Sequence, residues 1–141
     1  MKKMSLKYIQ LKPEQAMPDI AVLKPFLAVL VIEDPVSQPW QDLISRWLVR
    51  SGCIYMMTWG LNCSAWDDSV DFANIEQFNY GEIPEDELVM TSCHEDETLN
   101  DVFGQAKNSA KHACVDFSNI LILHISSENK EQEFLALYST V

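Results

Sequence analysis

Four short apolar segments, separated by stretches with helical spacing, constrain the fold of this 141-residue chain more than any other feature. Residues 26–32 are continuously apolar and rich in β-branched side chains, which is typical of a strand buried on both faces. Related patterns predict strands at 53–59, 87–93 and 119–125, and a loose alternation at 6–11 predicts a short edge strand. Each segment is much shorter than the roughly 20 apolar residues that cross a bilayer.

The stretch after the first buried strand shows how the helices between the strands are encoded. Ser37 is suited to cap a helix, Pro39 is tolerated in the first turn, and Gly52 ends the helix. Five apolar residues recur at a spacing of three or four and share one face of this helix: Trp40, Leu43, Ile44, Trp47 and Leu48.

Three further helices are expected, one after each of the later strands. Two of them begin at a sequence with the spacing of a capping box, in which a side chain at each end bonds the other's backbone. These predicted boxes are Ser64 with Asp67, and Thr98 with Asp101. For the last helix, either Ser126 or Ser127 is predicted as the cap.

Strands and helices therefore alternate along the chain. Because continuous apolar strands must be covered on both faces, this order predicts an α/β fold. The expected architecture is a three-layer α/β/α sandwich with a mostly parallel sheet of four to five strands, flavodoxin-like or Rossmann-like. Residues 1–141 are expected to form a single α/β domain, since the chain has the length of one domain and shows no linker or repeat.

The strand pattern also predicts the core and the state of the thiols. The residues expected to be buried are Val29, Val31, Ile54, Met56, Val89, Leu121 and Leu123. Residues 1–7 carry lysines with no apolar segment after them, so we predict no export signal, a cytoplasmic location and no membrane partner. In that reducing compartment the four cysteines are expected to be free, with Cys53 and Cys114 inaccessible in the core.

Charge is distributed unevenly along the chain. The net charge is −11, yet no Lys or Arg lies between Arg50 and Lys107. Twelve acids fall in that interval: Asp67, Asp68, Asp71, Glu76, Glu82, Glu85, Asp86, Glu87, Glu95, Asp96, Glu97 and Asp101. An acidic field repels nucleic acids and attracts cations or basic proteins, so a basic protein partner is predicted and a nucleic acid is not. The alternative is that these charges serve only solubility.

Ligands of open α/β sheets bind beyond the carboxyl ends of the strands. The polar and aromatic residues at those positions are the predicted binding residues: Glu33, Asp34, Trp59, Trp66, Asp67, Asp68, His94, Glu95 and Asp96. We expect the loops at 66–68 and 94–96 to lie side by side as an acidic concave surface. Tryptophans beside acids suit recognition of a cation or a basic side chain, although core packing is favoured for any one of them.

No cofactor and no catalytic residue are predicted. The loop after the first buried strand has two acids and no glycine, which opposes the binding of nucleotide phosphates. Nearby acids also disfavour thiolates, which argues against a nucleophilic cysteine. Metal binding stays open without a diagnostic spacing, either of a hard cation or of a softer one. The ligand sets would be Asp34, Asp67, Asp68, Glu95 and Asp96 for the first, and Cys63, Cys93 and His94 for the second.

Three functions are compatible with these features. The leading hypothesis is a small acidic cytoplasmic binding protein that docks a basic protein partner, as a toxin-neutralising immunity protein or a regulatory inhibitor does. The alternative is a metal-dependent or small-molecule enzyme with its site at the carboxyl ends of the parallel strands. The third is a non-catalytic subunit of a larger assembly, bound through an apolar patch.

Overall fold

The computed structural model describes residues 4–141, in which strands and helices alternate. The strands are β1 (Ser5–Leu11), β2 (Phe26–Ile32), β3 (Cys53–Gly60), β4 (Met90–Cys93) and β5 (Asn119–Ile125). The helices are α1 (Gln38–Arg50), α2 (Cys63–Gln77), α3 (Leu99–Asn108) and α4 (Glu131–Thr140), with 3-10 turns at Ala21–Leu23 and Glu85–Glu87. None of the helices in this part of the chain has the length and apolar content that a bilayer crossing requires.

All five strands belong to one parallel sheet with the order β1-β5-β2-β3-β4. This arrangement confirms the predicted α/β/α class, including the edge strand at the start of the chain. Leu11, Ile32 and Ile125 are paired at the same level, so β1, β2 and β5 end together at one edge. The loops that follow these strands are therefore neighbours in space.

Two apolar cores cover the two faces of the sheet. On β2, Ala28, Leu30 and Ile32 pack toward α1 and α2, whereas the intervening residues Val29 and Val31 pack toward α3 and α4. This alternation is the period of two that a strand imposes on its side chains. All seven residues predicted to lie in the core are buried.

The caps predicted for α1 and α3 are confirmed. The Ser37 hydroxyl accepts a hydrogen bond from the backbone N–H of Trp40 at 3.3 Å. Thr98 and Asp101 form the reciprocal capping box. These local signals place the starts of both helices correctly because the cap residues bond only to their own helix.

The box predicted at Ser64 is wrong, because α2 begins earlier, at Cys63. A tight turn precedes it, with Gly60 at φ +107° and Asn62 at φ +53°. A side chain at Gly60 would come within 2.1 Å of the carbonyl oxygen of Ile32, so the turn needs glycine there. The turn, rather than a side-chain cap, sets where the helix starts.

The cap predicted for the last helix is also wrong, since α4 begins at Glu131. The backbone N–H of Ser126 bonds the carbonyl of Leu11 at 3.0 Å, and that of Ser127 bonds the Asp34 carboxylate at 2.7 Å. The loop is thereby drawn across the ends of β1 and β2 before the helix begins.

The predicted strand at 87–93 is shorter than expected, because β4 contains only Met90–Cys93. The buried side chain of Asn74 in α2 replaces the missing strand pairing. Its Nδ2 donates to the carbonyl of Glu87 at 3.1 Å, and its Oδ1 accepts from the N–H of Val89 at 2.9 Å. The segment before β4 is therefore bonded to a helix instead of the sheet.

Of the two thiols expected in the core, only Cys53 is buried. Burial raises the pKa of Cys53 to about 12, which makes it inert at neutral pH. The prediction for Cys114 is wrong: it is exposed in the irregular segment between α3 and β5, with its Sγ 3.7 Å from Glu85. Cys114 lies close to β5 in the sequence, but a residue that precedes a buried strand need not itself be buried.

Candidate functional sites at the carboxyl edge

The chain leaves the neighbouring strands β2 and β5 toward opposite faces of the sheet, α1 following β2 and α4 following β5. The two loops remain bonded to each other, because the N–H groups of Glu33 and Asp34 donate to the carbonyl of Ile125 at 3.0 and 3.3 Å. Such a divergence is a topological switch point, the place where open α/β sheets bind ligands.

Four side chains form a hydrogen-bonded polar chain at this switch point. The buried His124 contacts the Glu33 carboxylate through Nε2, and its Nδ1 lies 2.6 Å from the Tyr8 hydroxyl. Lys130 completes the polar chain: its Nζ donates to Glu33 at 3.1 Å and its backbone N–H to the Tyr8 hydroxyl at 3.0 Å. Since an ionised carboxylate only accepts hydrogen bonds, Nε2 of His124 donates to Glu33, and a neutral ring accepts from Tyr8 at Nδ1.

The electrostatics of the polar chain keep Glu33 and Lys130 charged and Tyr8 neutral. Burial alone would raise the pKa of Glu33, but the hydrogen bonds from His124 and Lys130 lower it below its ordinary value. The hydrogen bond to Glu33 raises the pKa of Lys130, and burial raises that of Tyr8. Glu33 and Lys130 are therefore an ion pair at neutral pH, and the hydrogen bond from His124 helps to hold the Glu33 carboxylate in place.

A cleft of about 520 Å³ opens beside this ion pair, between the end of the sheet and α4. Its polar end contains Glu33, Lys130 and Glu133. Its apolar wall is formed by Trp59, Leu99, Phe134, Ala136 and Leu137. The Trp59 ring is fixed by a hydrogen bond of 2.8 Å from Nε1 to the carbonyl of Glu97. Volume and lining are those of a small-molecule site.

A separate group of carboxylates lies on α2, beside β4. Asp67, Asp68 and Asp71 each bring a carboxylate oxygen within 4.8 Å of the others, and Asp71 accepts a hydrogen bond from Thr91 at 2.8 Å. Burial, followed by repulsion from neighbouring acids, raises the pKa of Asp67 and of Asp71. We call these three residues the acidic trio. It is the only set of three such ligand atoms within that distance in residues 4–141.

The loop after β4 is organised around His94. This side chain is 6% exposed, with Nε2 2.8 Å from the Ser92 hydroxyl and Nδ1 2.6 Å from Glu97. The hydrogen bond from His94 lowers the pKa of Glu97, which also accepts from Gln105 at 2.8 Å. His94 therefore shapes the loop from within, while Glu95 and Asp96 point to solvent.

The predicted binding residues separate into two groups. Glu33, Asp34 and Trp59 lie at the switch point. The others lie at the β3–β4 end of the sheet, where Asp67, Glu95 and Asp68 add to burial in raising the pKa of the exposed Cys93 thiol. Asp34 therefore does not join the other members of the predicted hard-metal set, and the acidic trio does not include the predicted Cys63, Cys93 and His94 set.

Trp66 is withdrawn from the predicted binding residues, because core packing, which is favoured for any one tryptophan, is what the structure shows for it. It is 1% exposed and packs edge-to-face against Trp40, with ring centroids 6.5 Å apart. It shares the buried face of α2 with Val70 and Ala73, so the ring cannot contact a docked partner.

Several site residues were missed from the sequence. Tyr8 and Lys130 had no local signal, because each reaches the site only through the pairing of β1 with β5 and the path of the last loop. His124 falls within the buried-strand pattern at 119–125, which indicates a hydrogen-bonded core histidine but does not identify its partners. Asp71 had a readable signal, since it follows Asp67 and Asp68 by four and three residues and shares their helix face.

Comparison with known proteins identifies a matching family, and its description names no function. The model of a family described as a domain of unknown function (DUF7684) matches residues 6–141. No curated protein matches the chain. No solved structure matches it either.

Proposed function

We propose that this chain, which belongs to the DUF7684 family, is a cytoplasmic binding protein that docks a basic protein partner on an acidic face. The face comprises the outward side of α2 and the adjoining β4 with its following loop. One observation carries the proposal: exposed apolar side chains lie among acids there, in a part of the chain that has no basic residue.

The outward stripe of α2 contains both kinds of side chain. Asp68, Asp71, Phe72 and Ile75 follow one another at helical spacing, and Phe72 and Ile75 are 54% and 40% exposed. Tyr80 packs edge-to-face on Phe72 at 6.0 Å and is itself exposed. An apolar patch with a charged rim is the composition of a protein-binding surface.

The edge of the sheet extends this surface. α2 packs against β4, whose outer side is unpaired in the described sheet, and Leu88 and Met90 are exposed there. Glu95 and Asp96 follow at the end of the strand. Acids at the rim steer a basic partner to the face, and cations can stack on Phe72 and Tyr80.

The proposal is tested with a defined probe, a fluorescent amphipathic peptide of lysine and leucine, measured by anisotropy at several salt concentrations. The face variant carries Asp68→Asn, Asp71→Asn, Glu95→Gln and Asp96→Asn. The control variant removes four exposed charges elsewhere, with Glu14→Gln, Asp116→Asn, Glu128→Gln and Glu131→Gln. Both variants have the same net charge.

We expect the face variant to bind the peptide about tenfold more weakly than the control and to lose most of the salt dependence. Phe72→Ala should weaken binding without changing the salt dependence, because it removes apolar contact and no charge. Equal losses in the face and control variants would show that net charge alone attracts the peptide, and the proposal would fail.

A further inference from the structure

The cleft at the switch point is a second candidate binding site. It lies where β2 and β5 diverge, between the sheet and α4, whereas the acidic face is formed by α2 and β4. Docking on the acidic face makes no use of the cleft or of the polar chain behind it. Both features therefore need an explanation of their own.

The polar end of the cleft offers a ligand both hydrogen-bond donors and hydrogen-bond acceptors that have no partner within the described residues. The Lys130 ammonium has three N–H donors, and only the one that bonds Glu33 has a partner among residues 4–141. Glu133, in the first turn of α4, has no hydrogen bond or ion pair within the same residues. A ligand can thus meet the two unused N–H donors of the Lys130 ammonium and the free carboxylate of Glu133 within one cleft.

The polar chain fixes the position of these charges. Tyr8 and His124 are hydrogen-bonded to each other, His124 also bonds Glu33, and the Tyr8 hydroxyl accepts from the backbone N–H of Lys130. Neither side chain lines the cleft. Glu33 in turn holds the Lys130 ammonium. Groups that are already in place cost less to order when a ligand binds.

The apolar wall adjoins this polar end. Trp59, Leu99 and Leu137 are each partly exposed in the cleft and continue the core of the α3–α4 layer outward. The Trp59 ring offers a flat surface whose orientation is fixed by its bond to Glu97. A side chain placed there would be withdrawn from water at the same time as its polar end is bound.

We propose that this cleft binds a free α-amino acid with an apolar side chain. The ligand's carboxylate accepts hydrogen bonds from Lys130, its ammonium group pairs with Glu133, and its side chain packs against Trp59 and Leu137. A peptide terminus presents only one of the two charges, so the pairing of a free donor with a free carboxylate selects the free amino acid.

The experiment uses four probes with the whole chain, measured by isothermal titration calorimetry. They are L-phenylalanine, its amide, which lacks the anionic carboxylate, N-acetyl-L-phenylalanine, which lacks the ammonium group, and glycine, which lacks the side chain. We expect L-phenylalanine to bind and each of the other three to bind at least about tenfold more weakly, since each loses one group of contacts.

Variants assign the contacts. Lys130→Gln should reduce the affinity for L-phenylalanine about tenfold and leave the weak binding of the amide unchanged. Glu133→Gln should reduce the affinity for L-phenylalanine by a similar factor and leave N-acetyl-L-phenylalanine unchanged. Glu131→Gln, which removes a charge from the same helix outside the cleft, is the control and should bind as the parent does.

Three outcomes would overturn the inference. They are no binding of L-phenylalanine by a folded parent, equal binding of the amide, or equal loss in all three variants. The lysine–leucine peptide test of the acidic face uses other residues, so either proposal can fail without the other.

Discussion

At the scale of single residues, Glu33 joins three parts of the fold through one carboxylate. It directly follows β2, contacts β5 through His124 and holds the start of α4 through Lys130. Its pKa is lowered because these hydrogen bonds outweigh the effect of burial. An acid whose pKa falls on folding stabilises the folded state above its ordinary value, here 4.5, and loses that contribution as the pH falls through the lowered value.

We predict that Glu33→Gln lowers the free energy of unfolding at pH 7 by about 1–2 kcal/mol, because charged hydrogen bonds become neutral and solvent already screens part of the pair. The difference between parent and variant should shrink as the pH falls below 4.5. Urea unfolding at a series of pH values measures both effects, with Glu128→Gln as the control. A difference that grew in acid would contradict the sign of this linkage.

Single residues also show what could be foreseen about the site. Glu33, Asp34 and Trp59 were placed correctly because each lies at or just after the end of a strand, which is a local property of the sequence. Tyr8 was not, because it meets His124 only when β1 pairs with β5, and no local pattern specifies a pairing across more than 100 residues. Trp66 also follows the end of a strand, but its ring packs against Trp40 in the core, so position after a strand does not by itself identify a binding residue.

At the scale of elements, α2 and the segment before β4 depend on each other through Asn74. This side chain is 2% exposed, and its amide bonds the backbone on both sides of Leu88. These two bonds replace a strand ladder for residues that have no strand partner. The acidic face rests on this junction, since α2 forms one half of it and β4 the other.

We predict that Asn74→Ala lowers the free energy of unfolding by roughly 2–3 kcal/mol, since it leaves the Glu87 carbonyl and the Val89 N–H without a partner. Hydrogen exchange at Val89 should accelerate more than exchange in β2 or β5, because the opening is local. Asn100→Ala, at an exposed helix position, is the control. Unchanged exchange at Val89 would show that another contact holds the segment.

Helix starts were predictable only where the cap lies in the local sequence. The Ser37 and Thr98 hydroxyls each accept from the backbone N–H three residues ahead, so the spacing of both caps is visible in the sequence. The starts of α2 and α4 depend instead on turns fixed by distant contacts, with Leu61 bonded to Ile32 and Ser127 bonded to Asp34. The sequence near Ser64 and Ser126 resembles a cap, but the tertiary contacts set a different boundary.

At the scale of the whole molecule, the acidic residues that are close together in the sequence are also brought close together by the fold. β3, α2 and β4 are consecutive in the sequence and adjacent in the structure, so the interval without bases becomes one end of the sheet. The sandwich architecture itself was predictable, because continuous apolar strands alternate with amphipathic helices. The strand order was not, since it depends on where β5 inserts, between β1 and β2.

Concentrated charge carries an energetic cost at neutral pH. The pKa values of Asp67 and Asp71 are raised, first by burial and then by neighbouring acids. An acid whose pKa rises on folding favours the folded state below its ordinary value, here 3.8, and that advantage is lost as the pH rises through the raised value. This dependence has the opposite sign to that of Glu33, so a matched variant is needed to separate the two.

We therefore predict that the double variant Asp67→Asn and Asp71→Asn is at least as stable as the parent at pH 7 and low salt, because repulsion and the cost of burying charge are both removed. The amide oxygen that Asp71→Asn introduces would still accept the hydrogen bond that Thr91 now gives to the carboxylate. Thermal unfolding should show the parent gaining on the variant as the pH falls toward 4 or as salt is added. The control, Asp116→Asn with Glu128→Gln, should track the parent. A double variant that is clearly less stable than the parent at pH 7, where both carboxylates are charged, would show that these charges stabilise the folded state instead of destabilising it.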